Sequence, residues 1–108
     1  MSETARIDVW LWRARLFKTR SQAAGAVEEG SVRLVRGGES RTLDKPATAI
    51  RAGDALTVRS GGKLRSLEIL AIGARRGPDK EARLLYAEHA DQLDVSESGA
   101  QTSADPQQ

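Results

Sequence analysis

Apolar residues at helical spacing mark two segments near the start of the chain. The first predicted helix covers residues 8–16, with Asp8 as its N-cap. Its apolar stripe repeats at i, i+3, i+4 and i+7 through Ile7, Trp10, Leu11 and Ala14. Ser21 is the predicted N-cap of a second helix, which runs to Val27 and ends at Gly30. The short connection between them predicts a helix-loop-helix hairpin.

The apolar period then changes from helical to alternating. The predicted strands include Val32 with Leu34, Leu56 with Val58, and the run from Leu64 to Ile72. The predicted turns between them are Gly37-Gly38, Gly53-Asp54 and Ser60-Gly61-Gly62-Lys63. The third strand is apolar on both faces, and a short helix after Pro78, capped by Asp79, is predicted to cover it. The result is an α+β fold: a two-helix hairpin packed on a small twisted antiparallel sheet, with a short C-terminal helix.

Length and composition limit the class of protein. The 108 residues correspond to one domain, predicted to span residues 6–88. Cysteine is absent, which excludes a disulfide framework and a thiolate metal site and favours a reducing compartment. No apolar run approaches the roughly 20 residues of a membrane helix, and the first residues do not have the layout of a signal peptide. We therefore expect a cytoplasmic protein that does not bind a membrane.

The charges are distributed unevenly along the chain. Residues 1–88 contain all 17 basic side chains and 11 of the 15 acidic ones, a balance of +6, whereas residues 89–108 carry −4. An arginine-rich basic body favours a nucleic acid partner, because guanidinium pairs bidentately with phosphate, although genomic base composition would also explain the arginine content. Residues 89–108 are rich in Ser, Gln, Asp and Ala and are predicted to form an acidic disordered tail.

No combination of residues indicates catalysis, a cofactor or a metal site. The single histidine, His89, has no cysteine or second histidine with which to form a metal site or an activated nucleophile. Glu28 and Glu29 are adjacent in a helix and do not face each other, which favours solvated charges over an acid–base pair. Gly37-Gly38 and Gly61-Gly62 do not begin a helix after a strand, so we interpret them as turns. The sequence predicts a non-enzymatic protein.

Basic and polar side chains concentrate on the predicted hairpin and the strand after it. Packing of the hairpin on the sheet would bring several of them onto one face, where they could contact successive phosphates of a nucleic acid backbone. The alternative is that they are scattered cations that keep the protein in solution. The predicted RNA-binding residues are Arg6, Arg13, Arg15, Lys18, Thr19, Arg20, Ser21, Gln22, Arg33 and Lys45. Trp10 is assigned to the core, whereas Trp12 either packs under the C-terminal segment, which we favour, or stacks on a base.

The same residues resemble a known RNA-binding domain, the one named after small-subunit ribosomal protein S4. The first half of the resemblance consists of the run 6–15, Lys18-Thr19-Arg20-Ser21, Ala23 and Gly30-Ser31-Val32. The second half consists of Lys45-Pro46-Ala47 and Gly53-Asp54-Ala55-Leu56. The resemblance narrows to the ribosome-associated heat shock protein 15 subfamily through Trp10-Leu11-Trp12, Arg75-Arg76-Gly77-Pro78, Glu81-Ala82 and Leu84-Leu85-Tyr86. It covers about residues 6–88.

The resemblance implies a function and a binding face. It implies binding to structured ribosomal RNA on free large ribosomal subunits that carry a blocked nascent chain on transfer RNA, in recycling or rescue linked to heat shock. Peptidyl-tRNA is a further implied partner. The alternatives are a targeting or adaptor module that binds another structured RNA or a protein. We expect a monomer, and one hypothesis is that the acidic tail competes with RNA for the basic face.

Overall fold

The chain forms three helices and seven strands within residues 3–60 and 62–89, the residues that the computed structural model describes. In chain order they are β1 (Thr4–Arg6), α1 (Ile7–Arg13), α2 (Arg20–Glu28), β2 (Val32–Arg36), β3 (Glu39–Thr42), β4 (Ala49–Arg51), β5 (Ala55–Ser60), β6 (Lys63–Ile69), α3 (Asp79–Arg83) and β7 (Tyr86–Glu88). The predicted tail lies outside the described residues, except for His89.

Five strands form an antiparallel sheet in the order β3, β2, β5, β6 and β7, and β1 pairs with β4 in a second, smaller sheet. The helix hairpin packs on one face of the larger sheet. That face is apolar because alternate residues of the strands are buried, including Val32, Leu34, Leu56, Val58, Leu67 and Ile69. The predicted α+β class, with its hairpin, antiparallel sheet and short C-terminal helix, is confirmed.

The first helix begins one residue earlier and ends three residues sooner than the pattern predicts. Arg6 occupies the N-cap, so the prediction of Asp8 as the cap is wrong. Asp8 lies in the first turn, where its buried carboxylate accepts hydrogen bonds from the Arg6 guanidinium (3.1 and 3.0 Å) and from Val9 N (2.8 Å). The helix cannot continue to residue 16 because Arg15 has φ 60°, outside the right-handed helical region.

The second helix is capped by Thr19, and the prediction of Ser21 as its cap is wrong. Thr19 has an extended backbone, so its Oγ1 accepts a hydrogen bond from the N–H of Gln22, the third residue of the helix, at 3.0 Å. The Thr-x-x-Gln spacing is the sequence signal for this cap. The helix ends as predicted, with Gly30 just beyond it at φ 80°.

The third predicted strand ends at Ile69, and the chain continues as a segment that we call the strap, residues 70–78. The N–H groups of Leu70 and Ala71 both donate to the carbonyl of Leu85, at 2.8 and 3.2 Å. The buried Leu85 side chain therefore helps to cover this part of the core, as predicted for the segment after Pro78. Pro78, rather than the predicted Asp79, occupies the N-cap of α3.

Candidate nucleic-acid interface

The loop between α1 and α2 begins with a residue in the left-handed region. A side chain with a Cβ occupies that region at a cost of about 1–2 kcal/mol, and Arg15 does so with φ 60°. Its guanidinium Nε donates to the carbonyl oxygen of Gly77 at 2.6 Å and lies 3.8 Å from Oδ1 of Asp79. These contacts to the strap and to α3 stabilise the left-handed conformation of Arg15, which turns the chain out of α1 and toward α2.

The start of α2 presents polar side chains to solvent. Thr19, Ser21 and Gln22 are all exposed, and the Thr19 hydroxyl and the Gln22 N–H are joined by the capping hydrogen bond. The cap orders the first turn without using the Ser21 hydroxyl or the Gln22 amide. Those two groups are therefore available to hydrogen-bond an RNA backbone or sugar.

Lys18 and Arg20 give this turn its positive charge. Both are exposed, and among the described residues no carboxylate lies within 4.0 Å of either side-chain cation. The first turn of α2 also contains no acidic residue. A cation at a helix N-terminus is disfavoured by the helix dipole, so helix stability does not explain Arg20. The turn is instead suited to an anion such as a phosphate.

Arg6 and Lys45 lie together at the opposite end of α1. The N–H of Ile7 donates to the Thr48 carbonyl at 2.8 Å and that of Asp8 to the Pro46 carbonyl at 3.3 Å, which places the Lys45 segment against the helix start. Arg6 forms its ion pair with Asp8, yet its side chain remains 52% exposed. Lys45 is exposed as well. These two predicted residues form a second basic patch at the start of α1, whereas Lys18 lies in the loop that follows the helix.

Arg13 and Arg15 contact the protein itself. Arg13 Nη1 donates to the Gly73 carbonyl at 2.9 Å, just as Arg15 donates to Gly77. The strap also donates a hydrogen bond to α1, from Arg76 Nε to the Trp12 carbonyl at 3.1 Å. The Arg76 guanidinium lies 5.9 Å from the centroid of the Trp12 ring, within the range of a cation–π contact. Trp12 is thus half-buried under the C-terminal segment, the favoured of its two predicted environments.

Arg33 lies on the other side of the sheet from the helix hairpin. Its neighbours in β2, Val32 and Leu34, point into the core, so the alternation of the strand turns Arg33 toward solvent. Arg33 Nη1 lies 3.4 Å from the Ser40 hydroxyl on the adjacent β3. The structure therefore does not bring Arg33 together with Lys18 and Arg20 on one face.

Arg59 belongs near the predicted site but was not predicted from the sequence. Its N–H donates to the Ser31 carbonyl at 2.9 Å, which fixes the end of β5 beside the connection that follows α2. The residue is exposed and lines a groove with Phe17 and Gln22. The alternation of Val58 and Arg59 turns the Arg59 side chain outward, and the bond to Ser31 places its backbone beside the end of α2.

An ion pair between a buried carboxylate and a half-exposed arginine lies in the sheet on which the hairpin packs. Asp54 precedes β5 and accepts hydrogen bonds from Arg36 Nε (2.9 Å), Arg36 Nη2 (2.7 Å) and Arg51 N (2.9 Å). Burial of the Asp54 carboxyl is the largest single influence and opposes its ionisation. The hydrogen bonds from Arg36 and Arg51, with the positive charge of Arg36, together outweigh it and lower the Asp54 pKa.

Other kinds of site find little support in the described part of the chain. Within it, no three His, Cys, Asp or Glu side chains are close enough to hold a metal ion. None of its helices is long and apolar enough to cross a membrane. His89 is exposed, and its N–H donates to the Ser66 carbonyl at 2.7 Å as an extension of the β6–β7 pairing.

Comparison with known proteins agrees with this geometry. The S4 domain family model matches residues 5–34, which contain α1, the loop and α2. Heat shock protein 15 of Escherichia coli strain K12 is 38% identical over 95 residues, which cover 88% of this chain and 68% of that protein. The chain belongs to the heat shock protein 15 family. It is therefore an RNA-binding protein of a ribosome-associated bacterial family.

Two further relatives extend the comparison within and beyond the heat shock protein 15 family. A solved structure of Vibrio cholerae heat shock protein 15, described as trimeric, superposes with a TM-score of 0.71 at 38% identity and covers 82% of this chain and 84% of that one. The RQC P-site tRNA stabilizing factor of Listeria innocua is 32% identical over 69 residues, 64% of this chain and 70% of that protein.

Proposed function

We propose that this protein binds structured ribosomal RNA on free large ribosomal subunits that carry a blocked nascent chain on transfer RNA, and thereby supports their recycling or rescue under stress in the cytoplasm. The observation that carries the proposal is the exposed pair Lys18 and Arg20 at the start of α2, which has no ion-pair partner among the described residues and lies within the residues that match the S4 domain. The name of the E. coli relative supports the link to heat shock, and the name of the Listeria relative supports a transfer RNA in the P site as part of the target.

The proposed action is binding rather than chemistry. Lys18 and Arg20 contact phosphates on one strand, and Ser21 and Gln22 add hydrogen bonds to the same backbone. Arg6 and Lys45 form a second contact at the start of α1. Arg13 and Arg15 act indirectly, because they fix the loop through the strap. Recognition by such separated contacts depends on the shape of the RNA rather than on its base sequence.

The test is co-sedimentation of the purified protein with separated ribosomal subunits over a range of salt concentrations. The wild-type protein is expected to travel with the large subunit and to dissociate steeply as salt rises. Lys18→Ala with Arg20→Ala is expected to reduce the slope of log affinity against log salt by about 1.4–1.8, the contribution of two phosphate contacts.

The matched control is Lys80→Ala with Arg83→Ala, which removes the same charge from exposed positions of α3. An equal loss in both double variants would assign the effect to net charge and remove Lys18 and Arg20 from the interface. Absence of the folded wild-type protein from both subunit fractions would contradict the ribosomal proposal and favour another RNA or a protein partner.

We propose that this chain is a monomer, in contrast to the V. cholerae relative, whose structure is described as trimeric. Sedimentation equilibrium of the 11.7 kDa chain distinguishes the two states directly. We expect the monomer mass in the absence of RNA, and a mass near three times that value would show that the assembly of the relative is shared.

A further inference from the structure

A groove of about 410 Å³ runs beside α2, between that helix and the adjacent end of β5. Its lining consists of Phe17, Gln22, Gly25, Ala26, Glu29, Ser31, Arg59 and Ser60. The volume is within the roughly 300–1,000 Å³ of sites that bind small ligands. Gln22 connects the groove to the turn that carries Lys18 and Arg20, so an RNA backbone bound at that turn passes the mouth of the groove.

Arg59 provides a cation at the edge of this groove. Its side chain is exposed, and no carboxylate among the described residues lies within 4.0 Å of its guanidinium, although Glu29 lines the same groove. The hydrogen bond between Arg59 N and the Ser31 carbonyl fixes its backbone at the groove wall. A guanidinium so placed is suited to pairing with one phosphate.

The shape of the groove fits a flat ring. Phe17 is half-buried and packs against the core while it lines the groove, so it offers an aromatic surface that is held in place. On the helix wall, Gly25 borders open space, because a Cβ built at that position would meet no atom within 4 Å.

The remaining polar groups of the groove favour one kind of base. Glu29 carries a carboxylate, which repels phosphate but accepts hydrogen bonds from neighbouring N–H donors. Guanine presents two such donors, N1–H and the N2 amino group, side by side on its Watson–Crick edge. Unpaired bases of RNA are commonly recognised on that edge while stacked on an aromatic side chain.

We propose that this groove binds a single unpaired guanosine of the RNA, with its base on Phe17, its Watson–Crick edge at Glu29 and its phosphate at Arg59. The inference rests on the proposed function, since it specifies the RNA that the Lys18 and Arg20 turn binds. It adds a preference for an unpaired base to an interface that otherwise recognises only backbone and shape.

The test uses three RNA hairpins of equal length and charge, each with a loop that lacks guanosine: one has a bulged guanosine, one has a bulged uridine, and one has a fully paired stem with a single extra uridine in its loop. Binding to each is measured by fluorescence anisotropy at fixed salt. The wild-type protein is expected to bind the bulged-guanosine hairpin about tenfold more tightly than the paired hairpin, as the stacking of one base would provide. The bulged uridine is expected to give a smaller gain.

Variants separate the roles of the groove residues. Gly25→Leu fills the groove and is expected to abolish the preference for a bulge while leaving affinity for the paired hairpin unchanged; Gly25→Ala is the matched control and keeps the preference. Glu29→Gln is expected to retain the gain from a bulge but to lose the discrimination between guanosine and uridine. Arg59→Ala is expected to weaken the bulged hairpins more than the paired one.

The outcomes distinguish this inference from the proposed function. Equal affinity of the wild-type protein for all three hairpins, with uniform weakening by Lys18→Ala and Arg20→Ala, would overturn the groove and leave RNA binding by the turn intact. Equal weakening of all hairpins by Gly25→Leu would also overturn it. Binding to none of the hairpins by a folded protein would contradict both.

Discussion

At the scale of single residues, the Asp54–Arg36 pair makes the clearest contribution to stability. The Asp54 side chain is 3% exposed, and Arg36 provides two of its three hydrogen bonds. Arg36→Leu is expected to lower the free energy of unfolding by about 2–3 kcal/mol, because the buried carboxylate loses its charged partner. Urea unfolding measures this, with Arg33→Leu on the exposed face of the same strand as control. A change below about 0.5 kcal/mol in Arg36→Leu would show that water replaces the guanidinium.

The same pair makes the stability of the fold depend on pH, and the sign of that dependence follows from the lowered pKa of Asp54. The Asp54 pKa lies below its ordinary 3.8 in the folded protein, so the unfolded chain binds more protons near that pH. The stabilisation is complete well above pH 3.8 and is lost as pH falls through the folded pKa. Thermal unfolding between about pH 6 and 2 should therefore show a smaller acid-induced decrease in Asp54→Asn than in the wild-type protein. The Glu88 pKa, lowered chiefly by its hydrogen bond from Arg65, leaves a residual slope of the same sign. An identical decrease in both proteins would contradict the assignment to Asp54.

At the scale of elements, side-chain pattern predicted the parts of the fold that bury apolar residues and missed those that do not. The stripe of α1 and the alternation of β2 and β5 were sufficient to place them. Strand β3 has four exposed residues and therefore no pattern, although its turn at Gly37-Gly38 was predicted. Strands β1 and β7 have three residues each and depend on their pairing partners. The start of α1 could not be predicted, because Arg6 caps it with an extended backbone and no side-chain hydrogen bond, whereas the cap of α2 at Thr19 had a sequence signal in the Thr-x-x-Gln spacing.

The strap is the element whose stability depends most on individual side chains. Trp10 Nε1 donates to the Ala71 carbonyl at 2.9 Å, and Arg13, Arg15 and Arg76 add the other bonds between strap and helix. Arg76→Ala removes the bond to Trp12 and the contact over its ring. Native-state hydrogen exchange is expected to show faster exchange at Leu70 and Ala71, whose amides bond to Leu85, with Leu56 in the central strand unchanged. Unchanged protection at Leu70 and Ala71 would show that the strap is held in place without Arg76.

At the scale of the whole molecule, the interface residues that could be predicted from the sequence are those that lie close together along the chain. Lys18 to Gln22 are consecutive, so their concentration of charge and hydroxyl groups is visible in the sequence. Arg33 and Arg59 both face outward by strand alternation, and only the pairing of the strands shows that Arg33 lies away from the hairpin whereas the end of β5 with Arg59 lies beside the connection after α2. Arg13 and Arg15 have the charge of RNA contacts, but their partners lie about 60 residues further along the chain, beyond the range of local pattern.

The distribution of charge over the whole chain makes one further prediction. Residues 89–108 carry −4 and residues 1–88 carry +6, so the tail and an RNA compete for the same positive field if the tail reaches it. Replacing the tail acids by amides, at Asp91, Asp94, Glu97 and Asp105, is expected to tighten RNA binding at about 0.01 M salt. The gain should largely disappear near 0.15 M, where the screening length falls from about 30 Å to about 8 Å. A control with four uncharged tail residues replaced should bind as the wild type does. Equal affinities of the amide variant and the wild type at low salt would show that the tail does not compete, because screening cannot conceal an interaction at that ionic strength.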